Sequence, residues 1–276
     1  MRDDAITLET ALASFAQRLN AAAPDAALRA AMIRCIESDL DRLPLPGAGR
    51  TLARWQQLAA VAGIDLALFK LFEGHTDALA ILAELNAAPF AGHGIWGVWA
   101  AEPPNARVRV SQPDNGQVRL DGRKAWCSGA QQVDYALLTA WDAEDRPYLV
   151  AVQLDQPGVS IDAQAWQAVG MASTASVDVH LDNAVGHCVG ESGDYLARPG
   201  FWQGGAGIAA GWYGAAVALA RSLHQQRRQG RPDPHADAHL GSVDAALLGA
   251  AAAMRECAAW IDAHPREDAR LPVQRL

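Results

Sequence analysis

The chain has 276 residues, 50% of them hydrophobic, and a formal net charge of −8 at pH 7. A chain of that length buries a real core, and the acidic balance excludes a nucleic-acid binder that works through a basic patch. Cys35, Cys127, Cys188 and Cys257 are scattered without a C-x-x-C pair, which argues against zinc or a disulfide framework and fits a reducing cytoplasm.

Arg2-Asp3-Asp4 leads into no sustained apolar run, so no secretory signal is read. The longest apolar run, Ala245–Met254, is too short to span a bilayer. A cytoplasmic protein without membrane partners is expected.

Residues 1–97 read as a helical domain. Leu8, Leu12, Phe15 and Leu19 have helical spacing, with Thr7 and Thr10 giving a weak capping signal. Leu58, Val61, Ala62, Leu66, Phe69 and Leu71 continue a helical pattern, and Thr76–Leu85 reads as another helix. Breaks fall at Ala23-Pro24-Asp25 and at Pro44–Gly49.

Residues 98–190 read as an antiparallel β-domain. Val108 and Val110, then Val118 and Leu120, flank Pro113-Asp114-Asn115-Gly116, a hairpin signal because Asn-Gly tolerates positive φ. Val133–Ala140 and Tyr148–Leu154 read as more buried strands. Val177, Val179 and Leu181 alternate with Asp178, His180 and Asp182, the pattern of a half-buried strand.

Residues 191–276 return to helices, at 203–229 and 236–262, separated by Gly230-Arg231-Pro232-Asp233-Pro234. Helices, then strands, then helices give an α+β protein in three parts rather than a βαβ repeat. A four-helix bundle needs four helices, and only two long ones are read here. Pro272 suits the first turn of a further helix. The expectation is a fragment or truncated form with a partial bundle.

Several strings have competing readings. Gly92-His93-Gly94-Ile95-Trp96-Gly97 matches G-x-G-x-x-G, but a dinucleotide site needs a strand before it and a helix after it. The reverse order is expected here, so helix packing against the β-domain is preferred. His235 and His239 have i, i+4 spacing but no H-E-x-x-H pattern, and a solvated or capping role is preferred to a metal site. Gly204, Gly207, Gly211 and Gly214 put small residues on one helix face, which suits close helix packing. Glu73-Gly74-His75 could be an acid/base pair, although no nucleophile lies near it in sequence, and a structural or substrate-edge role is expected.

Two segments carry the chemistry. Leu120-Asp121-Gly122-Arg123-Lys124-Ala125-Trp126-Cys127-Ser128-Gly129-Ala130 puts a large flat aromatic and a hydroxyl at a strand end, an arrangement that suits a flat heterocycle. Some forty residues later comes Val169-Gly170-Met171-Ala172-Ser173-Thr174-Ala175-Ser176-Val177-Asp178-Val179. Together they resemble the middle β-domain of the acyl-CoA dehydrogenase family, across roughly Leu66 to Asp262.

The resemblance implies an N-terminal helical domain, a middle β-domain and a C-terminal bundle, with FAD between the last two. It implies α,β-desaturation of an acyl thioester, acyl-CoA in the family, with a hydride passing to FAD. It also implies a homo-oligomer. Trp126 matches the tryptophan that packs on the flavin ring, and Ser128 the hydroxyl near flavin N5. A core tryptophan and a turn-bonding serine are the alternatives. Ala101 takes the threonine position of a Thr-Glu-Pro run continued by Glu102-Pro103, so only its backbone could serve the ring. Arg227 matches an arginine that meets the FAD diphosphate of a neighbouring subunit, or else caps a solvated helix end.

The chain departs from the family at Pro104-Asn105-Ala106, at Met171-Ala172 and in lacking the phenylalanine after Arg227. The largest departure is that the catalytic residue is unknown. The family glutamate sits either late in the bundle, beyond Leu276, or near Phe201 and Trp202, neither of which can be a base. Glu191 and Asp194 are weak substitutes. A flavin monooxygenase on the same fold, which needs no α-proton base, is the alternative enzyme. A non-catalytic relative that binds FAD or an acyl chain is the alternative outside enzymes. The electron acceptor cannot be read.

Overall fold

A computed structural model describes residues 24–87, 94–111, 116–164, 166–231 and 233–276. The expected helix around Leu8–Leu19 and the hairpin tip at Pro113–Asn115 lie outside the described residues.

The first helices are α1 (Pro24–Glu37), α2 (Thr51–Ala62) and α3 (Leu66–Glu84). The apolar pattern from Leu58 to Leu71, which the sequence suggested was continuous, is broken between α2 and α3. Asp65 causes the break: its carboxylate accepts from the Leu68 N–H at 2.7 Å and starts a new helix. That helix also absorbs the separate one expected at Thr76–Leu85.

The strands are β1 (Trp96–Trp99), β2 (Val108–Val110), β3 (Gln117–Cys127), β4 (Tyr135–Trp141), β5 (Pro147–Gln153), β6 (Val159–Asp162) and β7 (Val177–Cys188). β2 pairs with β3 antiparallel, with Val110 opposite Leu120, as the hairpin signal required. β3–β7, β7–β5, β5–β4 and β4–β2 pairings close the strands into a ring, with β1 beside β4 and β6 beside β7.

The sheet is not purely antiparallel, which corrects the expectation. β4 runs parallel to both β1 and β2. The chain reaches β4 from β1 through the whole β2–β3 hairpin, a crossover long enough to bring β4 back in the same direction. The glycine run near Gly94 enters β1 and not a helix, so it lacks the context of a dinucleotide site.

After β7 come two short helices, α4 (Asp194–Ala197) and α5 (Gly200–Gly205), then the long α6 (Gly207–Gln229) and α7 (Pro234–Ala263), and a last turn, α8 (Arg270–Val273). The glycine stripe is a packing stripe. A Cβ on Gly211 would lie 2.1 Å from the Phe69 ring, and one on Gly214 would lie 2.0 Å from the Ala59 carbonyl oxygen. α6 therefore crosses α2 at backbone distance and seats the Phe69 ring of α3 against Gly211. From the last turns of α7, Asp262 reaches back and accepts from the Thr51 N–H and hydroxyl, capping α2.

Trp55, Trp99, Phe72 and Leu28 fill the main core, each fully or almost fully buried. At about 1.5–3 kcal/mol per large apolar side chain, this layer between helices and sheet holds the parts in place. The faces of α6 and α7 turned from it leave Trp212, Leu219, Leu223 and Leu248 exposed.

Candidate functional site

The structure brings the two signature segments together. The Gly129 N–H donates to the Thr174 carbonyl at 2.6 Å. The Ser128 and Ser176 hydroxyls share a hydrogen bond of 2.9 Å, and Ser176 shares another with Thr174 at 3.1 Å. The indole N–H of buried Trp99 donates to the Ser128 carbonyl at 3.1 Å and fixes the loop from beneath. Ser128 thus lies at the end of a chain of hydroxyls and not in a purely local turn bond.

Trp126 is no core residue. The register between β3 and β7 slips between Lys124 and Cys127, a bulge that turns the strand outward. Trp126 itself adopts a left-handed backbone, φ 56°, and its residue is 59% exposed. A bulky residue in that conformation stores about 1–3 kcal/mol of strain. Backbone preference does not favour a bulky side chain there, and packing within the chain covers less than half of it.

Ala101 lies two residues past the end of β1, and Glu102 beside it joins β3 to β4. The Glu102 carboxylate accepts from the Lys124 ammonium at 3.3 Å, from the Thr139 hydroxyl and from the Trp141 indole at 2.8 Å. Lys124 is fully buried and also donates to the Thr139 carbonyl at 3.0 Å. Burial lowers its pKa, opposed by the charge of Glu102. Burial raises the Glu102 pKa, but hydrogen bonds from Thr139, Trp141 and Lys124 outweigh it and hold the carboxyl below the usual range. This pair locks Ala101 to the strand that carries Trp126.

Arg227 stands apart from these residues, near the end of α6. Its guanidinium is engaged within the chain, by Asp237 at 3.1 Å and by the Arg231 carbonyl. His239 lies beside it at an open surface, and Asp233 caps α7 through the His235 and Ala236 N–H groups.

Glu73 and His75 do not form an acid/base pair. His75 is buried, 3.2 Å from Asp41 on one side and accepting from the Trp96 N–H on the other. Glu73 pairs with Lys70 at 3.0 Å. One turn on, Asp77 has an enclosed Oδ1 without a protein partner. Burial, then the charge of Glu73, push the Asp77 carboxyl up to about 6, against Arg198, Arg54 and Lys70. Asp77 and the hydroxyls of Thr174 and Ser176 escaped the sequence reading. The signal for the Glu102 pair was the place of Lys124 in the alternation of its strand, on the same side as buried Val118 and Leu120, since a lysine buried there demands an anion.

Comparison with protein families finds no match, and comparison with curated proteins finds none either. Comparison with solved structures does. A dibenzothiophene monooxygenase (TdsC) from Paenibacillus sp. A11-2 superposes with a TM-score of 0.76 at 21% identity, over 95% of this chain and 76% of that one. TdsC has also been solved with FMN and indole. Methanesulfinate monooxygenase MsuC from Pseudomonas fluorescens gives a TM-score of 0.74 at 19% identity, again over 95% and 76%. KijD3 in complex with FMN and a dTDP-linked amino sugar gives 0.75 at 19%, over 97% and 76%. The chain shares the α+β fold of these proteins.

Proposed function

We propose that the protein is a flavin-dependent oxidoreductase and, within that class, an oxygen-consuming monooxygenase acting on a small molecule. The observation that carries the reading is Trp126, a tryptophan held exposed in a strained backbone beside the Ser128–Ser176–Thr174 hydroxyls. The residues fit a flavin: an indole face for the ring, a hydroxyl for its edge, and the Ala101 backbone tied to the same strand by Glu102 and Lys124. A flavin held there would, once reduced, supply the two electrons with which dioxygen gives one oxygen to the substrate and one to water. In this reading Trp126 orients the ring, Ser128 stabilises charge at its edge, and the 171–176 loop holds Ser128 in place.

The likeness to TdsC and MsuC supports the monooxygenase class, and FMN in TdsC and KijD3 supports a flavin. FMN is the form proposed. For Arg227 to hold an FAD diphosphate, it would first have to leave Asp237. Desaturation of an acyl thioester is the competing reaction, and it requires a carboxylate base beside the ring. Phe201 and Trp202 have no ionisable group, and the carboxylates of Glu191 and Asp194 lie in the segment after β7, where Asp194 binds the Glu191 N–H, so neither supplies a dry, positioned base. Division of labour among residues 1–97, 98–190 and 191–276, and self-association, belong to the same proposal.

The test is oxygen uptake with chemically reduced FMN, set beside dye reduction with a panel of acyl-CoAs. Substrate-dependent oxygen consumption without dye reduction is expected. Dye reduction by an acyl-CoA under anaerobic conditions would reverse the assignment.

A further inference from the structure

On the outer face of β1, β4 and β5, next to Ala101, lies a cavity of about 160 Å³. Strand alternation builds one wall. Ala100 and Glu102 continue one side of β1, Thr139 and Trp141 alternate on β4, and Leu149 comes from β5. The short helices α4 and α5 close the other wall with Tyr195, Leu196 and Phe201. The aromatic walls are held stiffly. The Arg107 guanidinium lies 4.5 Å from the Trp141 ring centre, and Arg198 lies 5.4 Å from that of Tyr195. Tyr195 meets Phe201 edge to face at 5.5 Å.

Size and chemistry define the occupant. A dry cavity of roughly 150 Å³ accommodates a benzene-sized molecule, so the space here suits one small ring system. No lysine or arginine lines it, so it offers no cation to a phosphate or carboxylate. Its charged group is Glu102, whose side chain is 24% exposed. Oε1 accepts from Lys124 and Thr139, and the one Trp141 indole N–H is shared between the two oxygens, 2.8 Å from Oε2, which has no other partner. A carboxylate oxygen has room for about two hydrogen bonds, so Oε2 retains one. Ionised Glu102 can only accept, and its free partner must donate.

We propose that this cavity binds a small planar aromatic molecule carrying an N–H or O–H donor, with its ring between Trp141, Tyr195 and Phe201 and its donor on Glu102 Oε2. Such a molecule is the substrate class, a step that rests on the flavin reading. Its binding does not.

The test is calorimetric titration of the folded protein with phenol and with fluorobenzene, with and without FMN. Phenol is expected to bind saturably and at least tenfold more tightly than fluorobenzene. Ala100→Phe, which fills the cavity, abolishes both. Glu102→Gln removes most of the preference for phenol. If Glu102→Gln fails to fold, the wild-type preference and Ala100→Phe decide the matter. The proposal is overturned by no saturable phenol binding, by equal affinity for the two probes, or by phenol binding that survives Ala100→Phe in a protein of unchanged circular dichroism. Displacement of phenol by FMN also overturns it, because the cavity would then be the cofactor's. Phenol binding with no flavin binding leaves this site standing and removes only the preceding reading.

Discussion

The crossing of α6 over α2 and the end of β3 are built on opposite principles. At the crossing the glycines follow from packing. Gly214 leaves no room for a side chain and brings the α6 and α2 backbones together, and Gly211 is filled from outside by the Phe69 ring. At the end of β3 the sequence works against packing: Trp126 occupies a conformation that suits glycine and points a large apolar surface at solvent. The first region is explained by the fold alone. The second is not, and unexplained strain beside aligned hydroxyls is where function is to be sought.

The contrast can be broken most forcefully at Gly214. A methyl group there would meet the Ala59 carbonyl at 2.0 Å, so Gly214→Ala should lower unfolding stability by about 3 kcal/mol in urea titration. An unchanged midpoint would mean that the crossing is looser than described.

Asp77 gives the next largest effect, and its sign is fixed by linkage. Its folded pKa is raised from 3.8 to about 6, so the folded state binds the proton more tightly than the unfolded chain does. That stabilisation is complete below about pH 4 and is lost as the pH rises through 6. Asp77→Asn removes the loss. Relative to wild type the variant should gain stability between pH 4 and 7, by up to about 3 kcal/mol, and then level off. A constant difference across that range would contradict the assignment.

Trp126 should show the reverse balance from Gly214. Trp126→Gly relieves the backbone, and its stability should stay level or rise by up to about 1 kcal/mol. Its affinity for FMN should fall at least tenfold, about 1.4 kcal/mol. Ser128→Ala is the mildest change, with stability within about 1 kcal/mol and FMN affinity lowered a few-fold. Both follow from fluorescence titration of the flavin. Loss of fold in Trp126→Gly would place Trp126 among the packing residues.

The sequence made some of this legible and not the rest. The helix–strand–helix order, the β2–β3 hairpin and the alternation of β7 are local patterns, and each appears where those patterns put it. The parallel pairing of β4 with β1 and β2 is not local, because strand direction depends on where the crossover returns the chain. β6, four residues at the side of β7, is too short to carry a periodic signal. The break at Asp65 was readable as an N-cap but was masked by the apolar residues on both sides of it. At the site, Trp126 and Ser128 stood out by residue type. The partnership of Ser128 with Ser176 and the tie between Lys124 and Glu102 depend on strand register, which spacing alone does not give.

The central claim is that the end of β3 holds a flavin. Its most direct test is the visible absorption spectrum of the purified protein after incubation with FMN or FAD and removal of the excess, for wild type beside Trp126→Gly. The account predicts an oxidised-flavin spectrum that stays with the wild-type protein, preferentially with FMN, and that is lost from an equally stable Trp126→Gly. A wild-type protein that retains neither flavin, or a variant that retains it undiminished, would contradict it.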